Sequence, residues 1–294
     1  LKNIKRINIE SLSELLMINS IASSLNKKIN IGVRINPNID AKTHKKISTG
    51  KEEDKFGISF VKIQEIIKII KSLRNIKFTG ISCHVGSQIF SINVFEQTFK
   101  RIIKFIEIFE KNNLMIEEVN LGGGLGCDPL NKKKINLNNF NRLVKKYFSN
   151  KKYEISFEPG RYLVAKSGII LTKIIAIKTV GKNNFLIVDA GMNTFLRPAL
   201  YGAIHNIVAI KKSKKMGNFS VAGPICESSD VFARNILLPK QKIGGYLAIK
   251  DAGAYGSSMS SNYNTTNLPA EIMVKYKNYE LIRPAQKIDD IIKN

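Results

Sequence analysis

Apolar residues recur along this chain at two spacings, and the dominant spacing changes just past the middle. In the first half, helical spacing runs through Leu12–Leu25, Val61–Leu73, Val94–Asn112 and Phe140–Phe148. Between these stretches lie short β-rich runs: Arg6–Ile9, Ile29–Ile35, Phe78–His84, Glu118–Leu121 and Glu154–Glu158. Ser11 followed by Glu14 predicts a capping box that starts the first helix. Strand–helix alternation of this kind predicts a parallel sheet with helical crossovers. From Gly168 onward the pattern becomes β-rich. Gly168–Val180, Phe185–Val188, Asn218–Val221, Tyr246–Lys250 and Glu271–Tyr276 read as strands joined by Gly- and Asn-containing turns, with no long amphipathic helix before the tail at Ile288.

Polar, chemistry-bearing residues recur just after the strands of the first half: Glu10-Ser11, Arg34–Pro37, His84–Gln88, Gly122–Gly126 and Glu158–Arg161. That edge is where a β/α barrel builds its active site, whereas an open doubly wound sheet gathers its site at one switch point. A complete eightfold barrel takes about 250 residues, and the alternation here stops after five strands. The predicted fold class is therefore α/β: a partial (β/α)8 TIM-type barrel lacking its first three strands, then a β-rich domain, sandwich or barrel. Residues 1–165 are expected to form five β/α units and residues 166–294 the second domain. The missing strands are expected upstream of Leu1, and a chain beginning with Leu rather than Met fits a segment of a longer protein.

Composition narrows the function classes. A formal charge of +24, from 47 basic and 23 acidic side chains, raises nucleic-acid binding. The lysines are scattered, and clusters such as Lys132–Lys134 and Lys211–Lys215 lack interleaved aromatics, so a solvated basic surface is expected and no nucleic acid. No apolar run reaches about 18 residues, and no secretory signal is visible, so neither a membrane span nor export is expected. Cys83, Cys127 and Cys226 have no metal-ligand or disulfide spacing; a reduced, cytoplasmic setting and no metal are expected.

Several short motifs carry chemistry. Gly122-Gly123-Gly124 follows a strand, and glycines let backbone N–H groups crowd a phosphate; a tight turn is the alternative. Gly160, in the next strand-end loop, pairs with it in the position barrels use for phosphates. Glu158 is placed to face the barrel mouth, where a carboxylate opposite a pyridine nitrogen keeps it protonated; a strand-closing ion pair with Arg161 is the alternative. His84 precedes Gly86-Ser87-Gln88, a stretch suited to close cofactor approach. Arg197 and Tyr201 stand four apart, and an arginine fork holds a carboxylate bidentately. Cys226-Glu227 combines a proton donor with an acid able to hold an ammonium, and Tyr255 offers a phenol.

Taken in order, His84–Gln88, the triple glycine, Glu158–Arg161, Arg197–Tyr201, Cys226–Asp230 and Gly253–Asn264 resemble the diaminopimelate decarboxylase family, among the fold-type III pyridoxal-phosphate enzymes. The resemblance implies a carboxy-lyase, with pyridoxal 5'-phosphate as cofactor, that converts meso-2,6-diaminopimelate to L-lysine and carbon dioxide. It implies that His84 stacks on the cofactor, that Gly122, Gly123 and Gly124 hold its phosphate, that Ser87, Gly160 and Arg161 also bind the cofactor, and that Glu158 pairs with the ring nitrogen. Arg161, Arg197, Tyr201 and Glu227 would bind substrate, Tyr255 would touch cofactor and substrate, and Cys226 would donate the proton. It implies a homodimer whose active sites are shared. The family's Schiff-base lysine stands on the first barrel strand. No visible strand carries a lysine at its active-site end, so this segment alone is expected to be inactive. Rival expectations are a non-catalytic binding or regulatory homologue, or a decarboxylase of ornithine or arginine. A racemase would want arginine, not Glu158, at the ring nitrogen.

Overall fold

The computed structural model describes residues 4–41, 50, 55–149 and 151–292, which divide into two compact units, Leu1–Tyr162 and Leu163–Asn294. In the first unit β1 (Ile7–Ile9), α1 (Leu12–Ser24), β2 (Ile29–Arg34), α2 (Ile63–Ser72) and β3 (Ile76–Ser82) alternate. They are followed by α3 (Ile92–Lys111), β4 (Glu118–Asn120), α4 (Leu137–Phe148) and β5 (Glu154–Ser156). The five strands form one sheet in sequential order, every pair parallel. This is the arrangement of consecutive β/α units in the predicted α/β class.

Helix starts follow local chemistry. Ser11 accepts the Glu14 N–H at 3.2 Å, the first half of the predicted capping box, while the Glu14 carboxylate accepts the Glu10 N–H, one residue before the cap, at 2.6 Å. Asn136 caps α4 through the Asn139 N–H, which starts that helix three residues earlier than its apolar spacing indicated. Helix α3 buries Val94, Phe95, Phe99, Ile102, Phe105, Ile106 and Phe109, one helical face.

Register decides which strand residues join that core. Ile9, Val33, Ile81 and Val119 pair across the sheet in one row, are fully buried, and share the apolar cluster with the helices. A register shift between β2 and β3 at Thr79 lets Phe78 join the same cluster, stacked on Phe109 at 4.8 Å. The neighbouring rows are polar or glycine: Asn8, Gly32, Gly80 and Glu118 on one side, Arg34, Ser82, Asn120 and Ser156 on the other. Gly32 and Gly80 make room for Arg6: a Cβ there would lie 2.8 Å and 2.4 Å from its guanidinium. Arg6 in turn pairs with Glu118 at 3.3 Å, and Lys5 and Ser156 also bond that carboxylate.

After β5 come α5 (Gly160–Val164), then β6 (Ile170–Val180), β7 (Asn183–Val188), α6 (Arg197–Tyr201), β8 (Ile207–Ala209), β9 (Met216–Ala222), β10 (Val231–Pro239) and β11 (Tyr246–Ile249). The six strands order as β10-β9-β7-β6-β11-β8, antiparallel except for β7 with β9. Ile174, Leu186, Val188, Phe195, Val221 and Leu247 fill the second unit's core. A separate hairpin joins β12 (Glu271–Lys275) to β13 (Asn278–Arg283), and α7 (Asp289–Ile292) follows.

Strands β8, β10 and β13 went unpredicted. Two register shifts and Asn235 at φ +49° break the alternation of β10. The hairpin turns through Tyr276-Lys277, with Tyr276 at φ +57° and no glycine to announce it. Strand β8 is three residues long, too short for a periodic signal.

Candidate functional site

A cavity of about 330 Å³ opens at the C-terminal edge of the parallel sheet, lined by Asn8, Glu10, Arg34, Ser82, Cys83, His84 and Glu158. Its walls come from the ends of β1, β2, β3 and β5. His84 Nδ1 accepts a hydrogen bond from the Gly123 N–H at 3.2 Å. Burial, aided by the Arg34 charge and opposed by Glu158, pulls the imidazole below the ordinary histidine range, so it is neutral at neutral pH. Cys83 is a buried thiol pushed up to about 12 by desolvation, which makes it a packing residue rather than a nucleophile.

Glu158 is aimed by a neighbour that lies outside the sequence motifs. Asn120 donates its amide N–H to Glu158 Oε1 at 2.8 Å while its carbonyl accepts the Gly122 N–H at 2.8 Å. One side chain therefore fixes both the acid and the start of the glycine run. The glycines are pressed between adjacent strand-end loops. A Cβ on Gly123 would lie 2.0 Å from the Glu158 carbonyl, and one on Gly124, at φ +93°, would lie 2.4 Å from the Gly86 carbonyl. The run is thus required by the fold itself. Gly160 differs: it is exposed, and a Cβ there would meet nothing within 4 Å. Ser87 accepts the Arg161 Nε–H at 3.2 Å, and Gln88 bonds both backbone groups of Cys127.

Glu10 and Arg34 form an ion pair on the cavity wall; Glu10 also accepts the Gly57 N–H at 3.1 Å, and the guanidinium lies over Phe56 at 5.1 Å. Both residues stand at strand ends where chemistry was expected, but sequence alone gave them no role. A larger cavity of about 500 Å³ lies at the opposite, N-terminal edge, lined by Glu110, Met115, Lys151 and Tyr153 among others. None of the predicted motif residues reaches it.

In the second unit Arg197 is buried at the start of α6, its guanidinium 5.1 Å from the Tyr201 ring centre and 5.4 Å from that of Tyr255. These three predicted residues are brought together, with Tyr255 held at φ +61°. Cys226 is an exposed free thiol. Glu227, also exposed, accepts hydrogen bonds from Ser229 Oγ at 2.6 Å and Tyr263 OH at 2.9 Å, which hold its carboxyl below the ordinary range. Asp230 has a different place. It is buried and accepts the Met192 and Ile225 N–H groups at 2.7 Å and 2.8 Å, anchoring the turn that carries Cys226 and Glu227.

The family model for the pyridoxal-dependent decarboxylase, pyridoxal binding domain, matches residues 1–165. Diaminopimelate decarboxylase from Zymomonas mobilis is 39% identical over 293 residues, covering 99% of this chain and 70% of the relative. The chain belongs to the diaminopimelate decarboxylase family. The same enzyme from Methanocaldococcus jannaschii is 38% identical over 298 residues, covering 99% of this chain and 68% of the relative. The crystal structure of the Helicobacter pylori diaminopimelate decarboxylase complexed with L-lysine superposes with a TM-score of 0.94 at 36% identity, covering 99% of this chain and 73% of that one.

Membership of this family makes pyridoxal 5'-phosphate the cofactor, and the residues present fit it. The cavity has the size of a small-molecule site. It offers a carboxylate fixed by Asn120 and a neutral imidazole. Beside these stand a hydroxyl–guanidinium pair at Ser87 and Arg161 and open space over Gly160. Among the described residues no helix is long and apolar enough to cross a membrane.

Proposed function

We propose that this chain provides cofactor- and substrate-binding parts of an enzyme that decarboxylates meso-2,6-diaminopimelate to L-lysine and carbon dioxide, the last step of lysine biosynthesis. The observation that carries the proposal is Glu158. It stands at a cavity of cofactor size, held by Asn120 and accompanied by a neutral His84, in a chain alike along 99% of its length to diaminopimelate decarboxylases.

The bound cofactor supplies an electron sink for the carbon that loses carbon dioxide. The chain's own groups do the rest. Glu158 would hold a proton on the cofactor's ring nitrogen, and the neutral His84 would pack against the cofactor. Ser87, Gly122, Gly123, Gly124, Gly160, Arg161 and Tyr255 would hold the rest of it, the glycine run taking its phosphate. Arg197, with Tyr201 and Tyr255 against its guanidinium, holds a substrate carboxylate, and Arg161 assists. Glu227 holds the distal ammonium, and the exposed Cys226 thiol delivers a proton to the reacting carbon.

The proposal extends to a homodimer with shared active sites. The hairpin of β12 and β13 supports association, exposing Ile272, Val274, Tyr279 and Leu281 to solvent. A cytoplasmic setting is supported by three cysteines, none of which forms a disulfide among the described residues.

The test is to express the protein from its complete reading frame and measure carbon dioxide release from meso-diaminopimelate with and without added cofactor. Cofactor-dependent release, with one L-lysine formed per carbon dioxide, is expected. Consumption of ornithine or arginine instead would overturn the substrate, and absence of any release would overturn the enzymatic reading.

A further inference from the structure

We propose that Tyr263 and Ser229 are positioning residues for substrate recognition, clamping the Glu227 carboxylate from both sides so that it meets the substrate's distal ammonium in one orientation. This rests on the proposed role of Glu227 as the ammonium-binding acid.

Glu227 is solvent-exposed, and its side chain turns about three bonds, so exposure alone would leave its carboxylate spread over many orientations. Two hydroxyls remove that freedom. Ser229 Oγ donates to Oε1 at 2.6 Å, and Tyr263 OH donates to Oε2 at 2.9 Å. A carboxylate offers about four lone-pair directions. The two hydroxyls use one on each oxygen, and the remaining pair is left for the three N–H donors of an ammonium.

Tyr263 is 36 residues from Glu227 and reaches it because its own turn is braced. Asn264 and Thr265 both hold positive φ, at 54° and 57°, a conformation that costs energy in non-glycine residues. Asn262 secures the turn by donating to the Thr266 carbonyl at 2.9 Å and to Gln286 Oε1 at 2.5 Å. Thr266 Oγ1 closes it onto the Tyr263 carbonyl at 2.6 Å. A strained, cross-braced turn whose exposed phenol ends on an exposed acid serves that acid, since neither group buries apolar core. The hydrogen bonds also favour the ionised carboxylate, in keeping with its depressed pKa.

The experiment compares Tyr263→Phe, Ser229→Ala and Glu227→Gln in the cofactor-loaded enzyme expressed from its complete reading frame. Losing one hydrogen bond to a charged group is expected to raise KM for meso-diaminopimelate about 5- to 10-fold in Tyr263→Phe, with kcat held within about 2-fold. The acid limb of kcat/KM should move to higher pH, because the carboxylate then protonates more easily. In a Glu227→Gln background, Tyr263→Phe should add no further increase in KM. Ser229→Ala removes the bond to the other oxygen, should raise KM in the same way, and decides the matter if Tyr263→Phe does not fold. A raised KM in Glu227→Gln, with KM and acid limb unmoved in both hydroxyl variants, overturns the clamp and leaves the role of Glu227 standing. An unchanged KM in Glu227→Gln overturns that role and the clamp with it. Equal falls in kcat and kcat/KM in Tyr263→Phe would show a structural role and also overturn the clamp.

Discussion

Replacing Asn120 by alanine removes two hydrogen bonds of unequal value. The bond from the Gly122 N–H is buried, and its loss strands a donor where water cannot replace the acceptor, a cost of about 1–3 kcal/mol. The bond to Glu158 ends on an exposed carboxylate that water can resolvate, so it contributes about 1 kcal/mol at most. The sum is about 1–4 kcal/mol. With a urea slope of about 2 kcal/mol per molar, the unfolding midpoint should fall by about 0.5–2 M. Among the described residues the four helices of ten residues or more lie in the first unit, so far-ultraviolet circular dichroism follows its transition. Asn120→Asp separates the two bonds. It keeps the acceptor for Gly122 but turns the Glu158 partner from a donor into a second carboxylate, and like charges at that distance repel by a few kcal/mol at an effective dielectric of about 20. This variant should be at least as unstable as Asn120→Ala at neutral pH. A midpoint shift below about 0.3 M in Asn120→Ala, or an Asn120→Asp as stable as the parent protein, would refute the assignment of Asn120 as the residue that fixes the acid and the glycine run.

Three further outcomes follow from the same chemistry. The Tyr153 hydroxyl is buried without a hydrogen-bond partner and its pKa is pushed up to about 12 by desolvation, with Glu110 adding to the rise; Tyr153→Phe should therefore leave the urea midpoint unchanged or raise it, by up to about 1 kcal/mol. Burial pushes Glu118 up, but the Ser156 hydroxyl, Lys5 and Arg6 together outweigh it and leave its pKa lowered. Its stabilisation is thus present above the ordinary carboxylate pKa and lost as pH falls through the lower folded value; Glu118→Gln should flatten the acid limb of a stability–pH curve. Thiol labelling of the folded protein should modify Cys226 quickly and leave Cys83 and Cys127 until urea unfolds the chain, as counted by mass spectrometry of the labelled peptides.

Much of the candidate site could be read from the sequence because strand periodicity is short and strict. Ser82 and His84, Asn120 and Gly122, and Ser156 and Glu158 are each two apart, so an acid or imidazole placed just beyond a strand inherits the face of the last polar residue within it. Asn120 escaped notice, and Arg34 was picked out by its position but given no role, for the converse reason. Each lies inside its strand rather than in the loop, and a single polar residue at a strand end carries no spacing that separates a site member from a solvated edge. Tyr263 was lost among neighbouring serines and asparagines, and only its reach across 36 residues to Glu227 distinguishes it.

The register also explains why the site and the stability of the first unit are built from the same rows. The row Ile9, Val33, Ile81 and Val119 is committed to the helices, which leaves the alternate rows to face the other side of the sheet. There the N-terminal end is closed by Arg6 and Glu118, fitted in by Gly32 and Gly80, while the C-terminal end is left open as the cavity bearing His84 and Glu158. A charge pair at one end balances itself and needs no ligand. At the other end Glu158 is held by the Asn120 amide rather than, among the described residues, by a cation, so its position is fixed while its carboxylate stays open to the proposed ligand. That difference between the two ends of one polar face, rather than the presence of polar residues as such, is what supports the proposal of the C-terminal edge as the cofactor site.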